Sequence, residues 1–139
     1  MINIEDLKKS YERINKYLVE TPIVSSDVLN KELNANIYLK NEVEQLTGSF
    51  KIRGALSALS NLKNQGVKGV VAYSSGNHAQ GVSKAAQIFD MHAIIVMPED
   101  APSNKINKTK ANGAEVVLYK RHVESREGIA LDIAHEKNY

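Results

Sequence analysis

Residues 69–97 have the sequence GVVAYSSGNHAQGVSKAAQIFDMHAIIVM, in which two short apolar runs stand out. The runs cover residues 70–73 and 93–97, a length typical of buried strands. Between them a polar turn, residues 74–77, leads into a helical pattern that continues to Phe89. A strand, a helix and a second strand in this order predict a βαβ unit with parallel strands.

The same alternation continues towards the carboxyl terminus. A helix is predicted from Ser103, as its N-cap, to Gly113, followed by a strand over residues 115–119 and a last helix over about 123–137. The order β-α-β-α-β-α predicts an α/β fold, an open parallel sheet with helices on both faces and right-handed crossovers. Ligands of such sheets bind beyond the carboxyl ends of the strands.

The part of the chain before residue 65 predicts fewer elements. Five apolar residues recur three or four positions apart and predict one helix face, which Thr21-Pro22 ends: Ile4, Leu7, Tyr11, Ile14 and Leu18. Residues 37–40 predict a short strand, and residues 52–64 predict a helix.

Composition excludes several classes of protein. The 139 residues are enough for about one domain, and 42% hydrophobic with 24% charged residues is typical of a globular protein. A net charge of +2 gives no sign of a nucleic-acid surface, and the chain has no Cys. No apolar run approaches the roughly 20 residues of a membrane span, so we expect a soluble, cytoplasmic protein without a membrane partner.

The turn SSGNHAQG, residues 74–81, follows the first strand of the βαβ unit. Free N–H groups at the start of the next helix, with the hydroxyls of Ser74 and Ser75 and the amide of Asn77, predict a pocket for a small anion such as a carboxylate. The alternative is that a Ser or Asn merely caps the helix. A phosphate-binding P-loop is excluded, because Val82-Ser83 stands where Lys-Ser or Lys-Thr is needed.

A second motif is TGSFKIRGA, residues 47–55. Partial burial of Lys51 between Phe50 and Ile52, and the positive charge of Arg53, would both favour the neutral amine that forms a Schiff base. The alternative is a solvated lysine at the start of a helix.

Other charged and ligating residues give weaker signals. The four histidines have no helical i, i+4 pairing, so no metal site is expected: His78, His92, His122 and His135. His78 is expected to orient the turn in which it lies. Three lysines near residue 108 are interpreted as a solvated helix face: Lys105, Lys108 and Lys110.

Taken together, the two motifs resemble those of the threonine/serine dehydratase and serine racemase family, a branch of the fold-type II pyridoxal phosphate enzymes. YLKNE at residues 38–42, Gln45 and residues 47–55 resemble the lysine segment of that family, and residues 74–81 its asparagine loop. Further matches fall in the expected order: Met97-Pro98, Ala101-Pro102, Lys105 and residues 113–118. The resemblance covers nearly the whole chain.

The resemblance implies a role for each residue of the two motifs. Lys51 would hold pyridoxal phosphate covalently and act as acid and base on one face of it, Phe50 would pack near its ring, and Asn77 would hydrogen-bond its ring oxygen. Ser74, Ser75, Asn77 and the backbone at His78 would bind the carboxylate of a small amino-acid substrate. The implied reaction is elimination from threonine or serine, giving a 2-oxo acid and ammonia.

Ser75 keeps a second reaction open. In the resemblance, many threonine dehydratases carry Ala at this position, whereas racemases carry Ser as the acid and base opposite the lysine. One alternative to a threonine/serine dehydratase is therefore a serine racemase. A 3-hydroxyaspartate dehydratase is another, because the sequence does not decide between these substrates. A non-catalytic ligand-binding fragment is the alternative from a different functional class.

The resemblance also implies that part of the enzyme lies outside these residues. The family's Gly-rich loop for the cofactor phosphate resembles sequence that would follow Tyr139. We therefore expect residues 54–139 to form the small domain and residues 1–53 an incomplete N-terminal piece of the large domain. The longer protein is expected to be an active homo-oligomer, and the 139 residues alone are expected to be inactive.

Overall fold

A computed structural model describes residues 3–139. Helices and strands follow one another in this order: α1 (Ile4–Ile14), β1 (Ile23–Ser25), α2 (Asp27–Leu33), β2 (Tyr38–Lys40), α3 (Lys51–Asn64), β3 (Gly69–Tyr73), α4 (Asn77–Ile88), β4 (His92–Pro98), α5 (Ser103–Ala111), β5 (Glu115–Tyr119) and α6 (Arg126–Lys137). Short 3₁₀ turns lie at Asn15–Tyr17 and Glu42–Glu44. No helix within this range is long and apolar enough to cross a membrane.

The predicted parallel sheet is confirmed. Its strands lie side by side in the order β3-β4-β5, and Ile94 of β4 pairs with Val71 on one side and Glu115 on the other. In β4 every residue after His92 is buried. This continuous apolar run is the pattern of a parallel strand covered on both faces.

Helices cover both faces of the sheet, as predicted. Ile95 and Met97 of β4 belong to the larger core, together with residues of α3 and α4. Val96, whose side chain alternates with theirs, packs with Tyr119 and with Ala130 of α6 on the opposite face. The sheet therefore separates α3, α4 and α5 from α6.

Three predicted boundaries are wrong. The first helix ends at Ile14 and continues as a 3₁₀ turn, rather than running on to Leu18. Ser103 is not an N-cap, because Pro102 holds that position and its carbonyl already accepts from Lys105 N at 2.8 Å. The last helix begins three residues later than predicted, since Ser125 Oγ accepts from Gly128 N at 3.1 Å and caps it.

The elements between residues 20 and 40 were predicted only in part. The strand predicted over residues 37–40 is present as β2, but it pairs antiparallel with β1, and neither β1 nor α2 was predicted. All six residues of the two strands are exposed. Short strands without a buried face lack the alternation that sequence reading depends on.

Only part of the predicted apolar face of α1 is buried. Ile14 is 4% exposed and lies in the core with Ile52 and Leu56 of α3, whereas Ile4 and Leu7 are 63% and 57% exposed. A single core thus includes residues on both sides of residue 53. The division into two domains at that point stays a prediction.

An ion pair joins the turn after β2 to the first turn of α3. Arg53 donates from Nε and Nη2 to the two carboxylate oxygens of Glu42, at 2.8 and 2.7 Å, and Thr21 Oγ1 donates to the same carboxylate at 2.6 Å. The hydrogen bond from Arg53 is the main reason why the pKa of Glu42 is lowered to about 2. The pair fixes the chain two residues from Lys51.

Glu42→Gln tests this pair. Because the pKa of Glu42 is lower in the folded state than its ordinary 4.5, the ionised carboxylate stabilises the fold above that pH, and the stabilisation is lost as pH falls towards 2. The variant should lose about 1–3 kcal/mol of unfolding free energy at neutral pH. The difference in unfolding free energy between the variant and the original protein should become smaller as the pH is lowered, as measured by urea unfolding. Glu44→Gln in the same turn is the control, and a gap that stays constant with pH would show that the carboxylate charge contributes nothing.

Candidate functional site

The turn between β3 and α4 lies at the carboxyl edge of the sheet. Ser74 N donates to Val96 O of the neighbouring strand at 3.1 Å, and Gly76 N donates to Ser74 Oγ at 3.3 Å. The first bond holds the turn against β4, and the second closes the turn on itself. Ser74 is half-buried, and Ser75 is exposed and accessible to a ligand.

The start of α4 has unpaired backbone donors. Gly76 is its N-cap and no side chain caps it, so the alternative of a merely capping Ser or Asn is wrong. The first backbone N–H of α4 to reach a helical carbonyl is that of Gln80, which donates to Gly76 O at 3.3 Å. The N–H groups of Asn77, His78 and Ala79 therefore remain for an anion, which the helix dipole also favours. This arrangement suits a carboxylate.

Lys51 is the first residue of α3, and the structure places it differently from one expectation. The expected partial burial is wrong, because Lys51 is exposed. Its Nζ lies 4.9 Å from the ring centroid of Phe50, which is itself 59% exposed. The positive charge of Arg53 is neutralised by Glu42, so it does not act on the lysine as expected. Lys51 is a solvated amine beside an aromatic ring.

The two predicted motifs meet where α4 crosses the start of α3. A Cβ built on Gly81 would lie 3.2 Å from the carbonyl carbon and oxygen of Lys51 and 3.3 Å from Ile52 N. The absent side chain of Gly81 therefore lets the two backbones touch. In the first turn of α4, partial burial and then the charge of Lys51 lower the pKa of His78.

Lys105 is a residue of this region to which sequence reading gave no role at the site. Its Nζ donates to Asn77 Oδ1 at 3.0 Å, and its side chain is half-buried, so its assignment to a solvated face is wrong. Lys108 and Lys110 are exposed, as that assignment expected. The signals in the sequence were the match of Lys105 to the family pattern and its position in the first turn of a helix that follows β4.

A cleft of about 320 Å³ lies apart from the predicted site residues. It is lined by the turn before α3 and by α4 and α5: Leu46, Thr47, Gly48, Gln80, Lys84, Lys108, Ala111 and Asn112. The six predicted residues lie instead on an open surface, and their mutual geometry is what defines the candidate site. Within residues 3–139 no group of three or more acidic or histidine side chains could hold a metal ion.

Comparison with known proteins gives a family. A family model described as pyridoxal-phosphate dependent enzyme matches residues 14–139. L-threo-3-hydroxyaspartate ammonia-lyase of Saccharomyces cerevisiae is 43% identical over 135 residues, which are 96% of this chain and 41% of the relative. Serine racemase of Schizosaccharomyces pombe is 42% identical over 134 residues, which are 96% of this chain and 42% of the relative.

Solved structures agree with these relatives. The serine racemase from Dictyostelium discoideum superposes with a TM-score of 0.90 and 37% identity, over 99% of this chain and 45% of that one. The chain thus spans about two fifths of the length of the proteins it matches.

Gly81→Ala tests the contact that joins the two motifs. The added methyl group would push the backbone of α3 at Lys51, whereas the matched change Gly54→Ala in α3 meets no atom within 4 Å. Gly54→Ala should therefore stabilise the protein slightly, as alanine does in a helix. We expect Gly81→Ala to be less stable than Gly54→Ala by about 1–3 kcal/mol in urea unfolding. Equal stabilities would show that the contact is not tight.

Proposed function

This chain belongs to the pyridoxal-phosphate dependent enzyme family, and we propose that it carries the lysine and the carboxylate pocket of an ammonia-lyase acting on threonine or serine. The observation that carries the proposal is the close approach of α4, at Gly81, to the backbone of Lys51, which brings the helix that begins with the lysine next to the helix whose first N–H groups are unpaired. Relatives whose names include ammonia-lyase and serine racemase support elimination or racemisation of an amino acid.

The residues at the meeting of α3 and α4 fit the cofactor. Lys51 offers a primary amine and Phe50 an aromatic surface next to it. Ser49 Oγ, two residues before the lysine, is buried without a hydrogen-bond partner in the described part of the chain. The amine could join an aldehyde carbon, and the free hydroxyl and amide groups could hydrogen-bond polar atoms of a ring.

We assign each residue a role in holding the cofactor. Lys51 binds it covalently through Nζ, Phe50 packs against its ring, and Asn77 donates from its side-chain amide to the ring oxygen. Contacts to the phosphate are proposed to come from the part of the relatives' length that this chain does not cover. Without those contacts the 139 residues bind pyridoxal phosphate weakly and are inactive by themselves.

The substrate carboxylate is assigned to the start of α4. Ser74 and Ser75 supply hydroxyl donors, Asn77 a side-chain donor, and His78 its backbone N–H. The partial positive charge of the helix terminus adds to these hydrogen bonds. Partial burial and then the charge of Lys51 lower the pKa of His78, which disfavours a positive charge on its ring beside the helix terminus. We propose that these groups orient an amino acid with its α carbon towards Lys51.

The reaction then depends on moving one proton. Pyridoxal phosphate, when bound, supplies an electron sink that stabilises negative charge at the α carbon of an amino acid. Lys51 Nζ, once released by the substrate amine, accepts the α-proton on its own face. Loss of the β-hydroxyl group followed by hydrolysis gives a 2-oxo acid and ammonia: 2-oxobutanoate from threonine, pyruvate from serine.

Racemisation is the second candidate function, and Ser75 is the residue that favours it. Reversal of the configuration needs a proton donor on the face opposite Lys51, and an exposed Ser75 hydroxyl in the carboxylate pocket could supply it. The 3-hydroxyaspartate ammonia-lyase activity named for a relative requires the same elimination from a different substrate. We propose that the complete protein is a cytoplasmic homo-oligomer.

Borohydride trapping tests the role of Lys51. The chain is incubated with pyridoxal phosphate, reduced with borohydride and digested, and the cofactor mass is located by mass spectrometry. Most of the label should be on Lys51, because the neighbouring ring and hydroxyl groups hold the cofactor there. Lys51→Ala should lose that label, and Lys108→Ala on exposed α5 is the matched control. An even spread over the exposed lysines would refute the assignment and leave a non-catalytic fragment.

Ser75→Ala separates the two reactions. Residues 1–139 replace the matching part of the Schizosaccharomyces pombe serine racemase, which is 42% identical to them. If Ser75 is the second acid and base, its loss should slow D/L interconversion of serine on the order of 100-fold, which is the usual rate contribution of a general acid or base. The rate of ammonia release should fall much less. Chiral chromatography and an ammonia assay measure the two rates. Parallel losses in both would contradict the role.

A further inference from the structure

Lys105 reaches across from α5 to the carboxylate end of α4. Its Nζ lies 3.0 Å from Asn77 Oδ1. Lys108 and Lys110, on the same helix, are exposed. Lys105 thus differs from its neighbours in contacting a residue that we assign to the cofactor.

The backbone that presents Lys105 is held at both ends of α5. Lys105 N donates to Pro102 O at 2.8 Å, and Lys105 O accepts from Thr109 Oγ1 at 2.9 Å. Thr109 is fully buried. At the other end of the helix, Asn112 Nδ2 donates to Ser83 Oγ of α4 at 3.1 Å. The lysine therefore starts from a fixed point relative to α4.

The chemistry of a lysine decides which way the Asn77 amide faces. An ammonium group only donates hydrogen bonds, so the atom of Asn77 that faces Lys105 must be the oxygen. The NH₂ group lies on the other side of the planar amide. Within residues 3–139 this NH₂ group makes no hydrogen bond, so it is free to donate to a ligand.

We propose that Lys105 is a positioning residue for the cofactor site. Its ammonium group donates a hydrogen bond to the side-chain oxygen of Asn77. The NH₂ group of the amide is thereby left facing the ring oxygen of pyridoxal phosphate. Without Lys105 the amide can rotate, and its oxygen would then face the ring oxygen of the cofactor, two acceptors with no hydrogen bond between them. The inference rests on the proposed function, because it assigns the free NH₂ group to that ring oxygen.

The experiment measures the affinity with which the chain forms its Lys51-dependent adduct with pyridoxal phosphate. The adduct is followed by its absorbance during a titration, and the absorbance of Lys51→Ala under the same conditions is subtracted. Lys105→Met keeps the length of the side chain and removes the donor, Lys105→Arg keeps a donor, and Lys110→Met is the matched charge control. Each variant is also titrated with 3-deoxypyridoxal phosphate, which lacks the ring hydroxyl group. Thermal unfolding checks that the variants are folded.

Lys105→Met should weaken adduct formation about three- to tenfold, the usual effect of one hydrogen bond, while Lys105→Arg and Lys110→Met stay near the original protein. With the 3-deoxy cofactor, and on an Asn77→Ala background, the effect of Lys105→Met should disappear, because no ring oxygen or no amide is left to orient.

Three outcomes would overturn the inference. An unchanged affinity of Lys105→Met would show that the lysine does not orient the amide. An equal loss with the 3-deoxy cofactor or on the Asn77→Ala background would show that Lys105 acts through its charge or through folding. No Lys51-dependent adduct in the original chain would instead mark the failure of the proposed function, and the inference would fail with it.

Discussion

The candidate site depends on the absence of a side chain at Gly81. There α4 approaches the first residues of α3 so closely that a methyl group would lie 3.2 Å from the Lys51 carbonyl group. One helix start carries the amine, and the other carries the unpaired N–H groups. The spacing of the two helices at this point is therefore set by contact between two backbones, which deform less readily than side chains. The ion pair of Arg53 with Glu42 adds a second restraint on the chain that precedes Lys51.

Sequence patterns predicted the parts of the fold that are buried on both faces. Strand β4 is an uninterrupted apolar run because the larger core lies on one side of it and α6 on the other. The sheet formed by β1 and β2 was missed in part because both of its strands are exposed, so burial leaves no periodic trace in the sequence. The start of α5 was misplaced because the carbonyl of Pro102 accepts the N–H that the Ser103 side chain was expected to cap.

The residue types of the candidate site could be predicted, but their surroundings could not. The motifs placed Lys51 and Asn77 at two helix starts, which is where the structure has them. The exposure of Lys51 depends on which parts of the fold pack over it, and local sequence does not specify these. The charge of Arg53 is neutralised by Glu42, a residue eleven positions earlier in the sequence. The contact of Lys105 with Asn77 joins two helices, so it follows from the packing of α5 on α4 and not from local spacing.

An open surface limits what these side chains can do in water. Phe50 is 59% exposed, and Lys51, Ser75 and Asn77 are exposed as well. A hydrogen bond to a carboxylate gains little when both partners are already hydrated, whereas the same bond in a site that excludes water is much stronger. The proposed chemistry therefore needs a cover over the carboxyl edge of β3 and β4. The relatives have room for one, since this chain spans only about two fifths of their length. Under the proposed function, the substrate carboxylate would bind first to these residues, and stabilisation of charge at the α carbon would require the covered site.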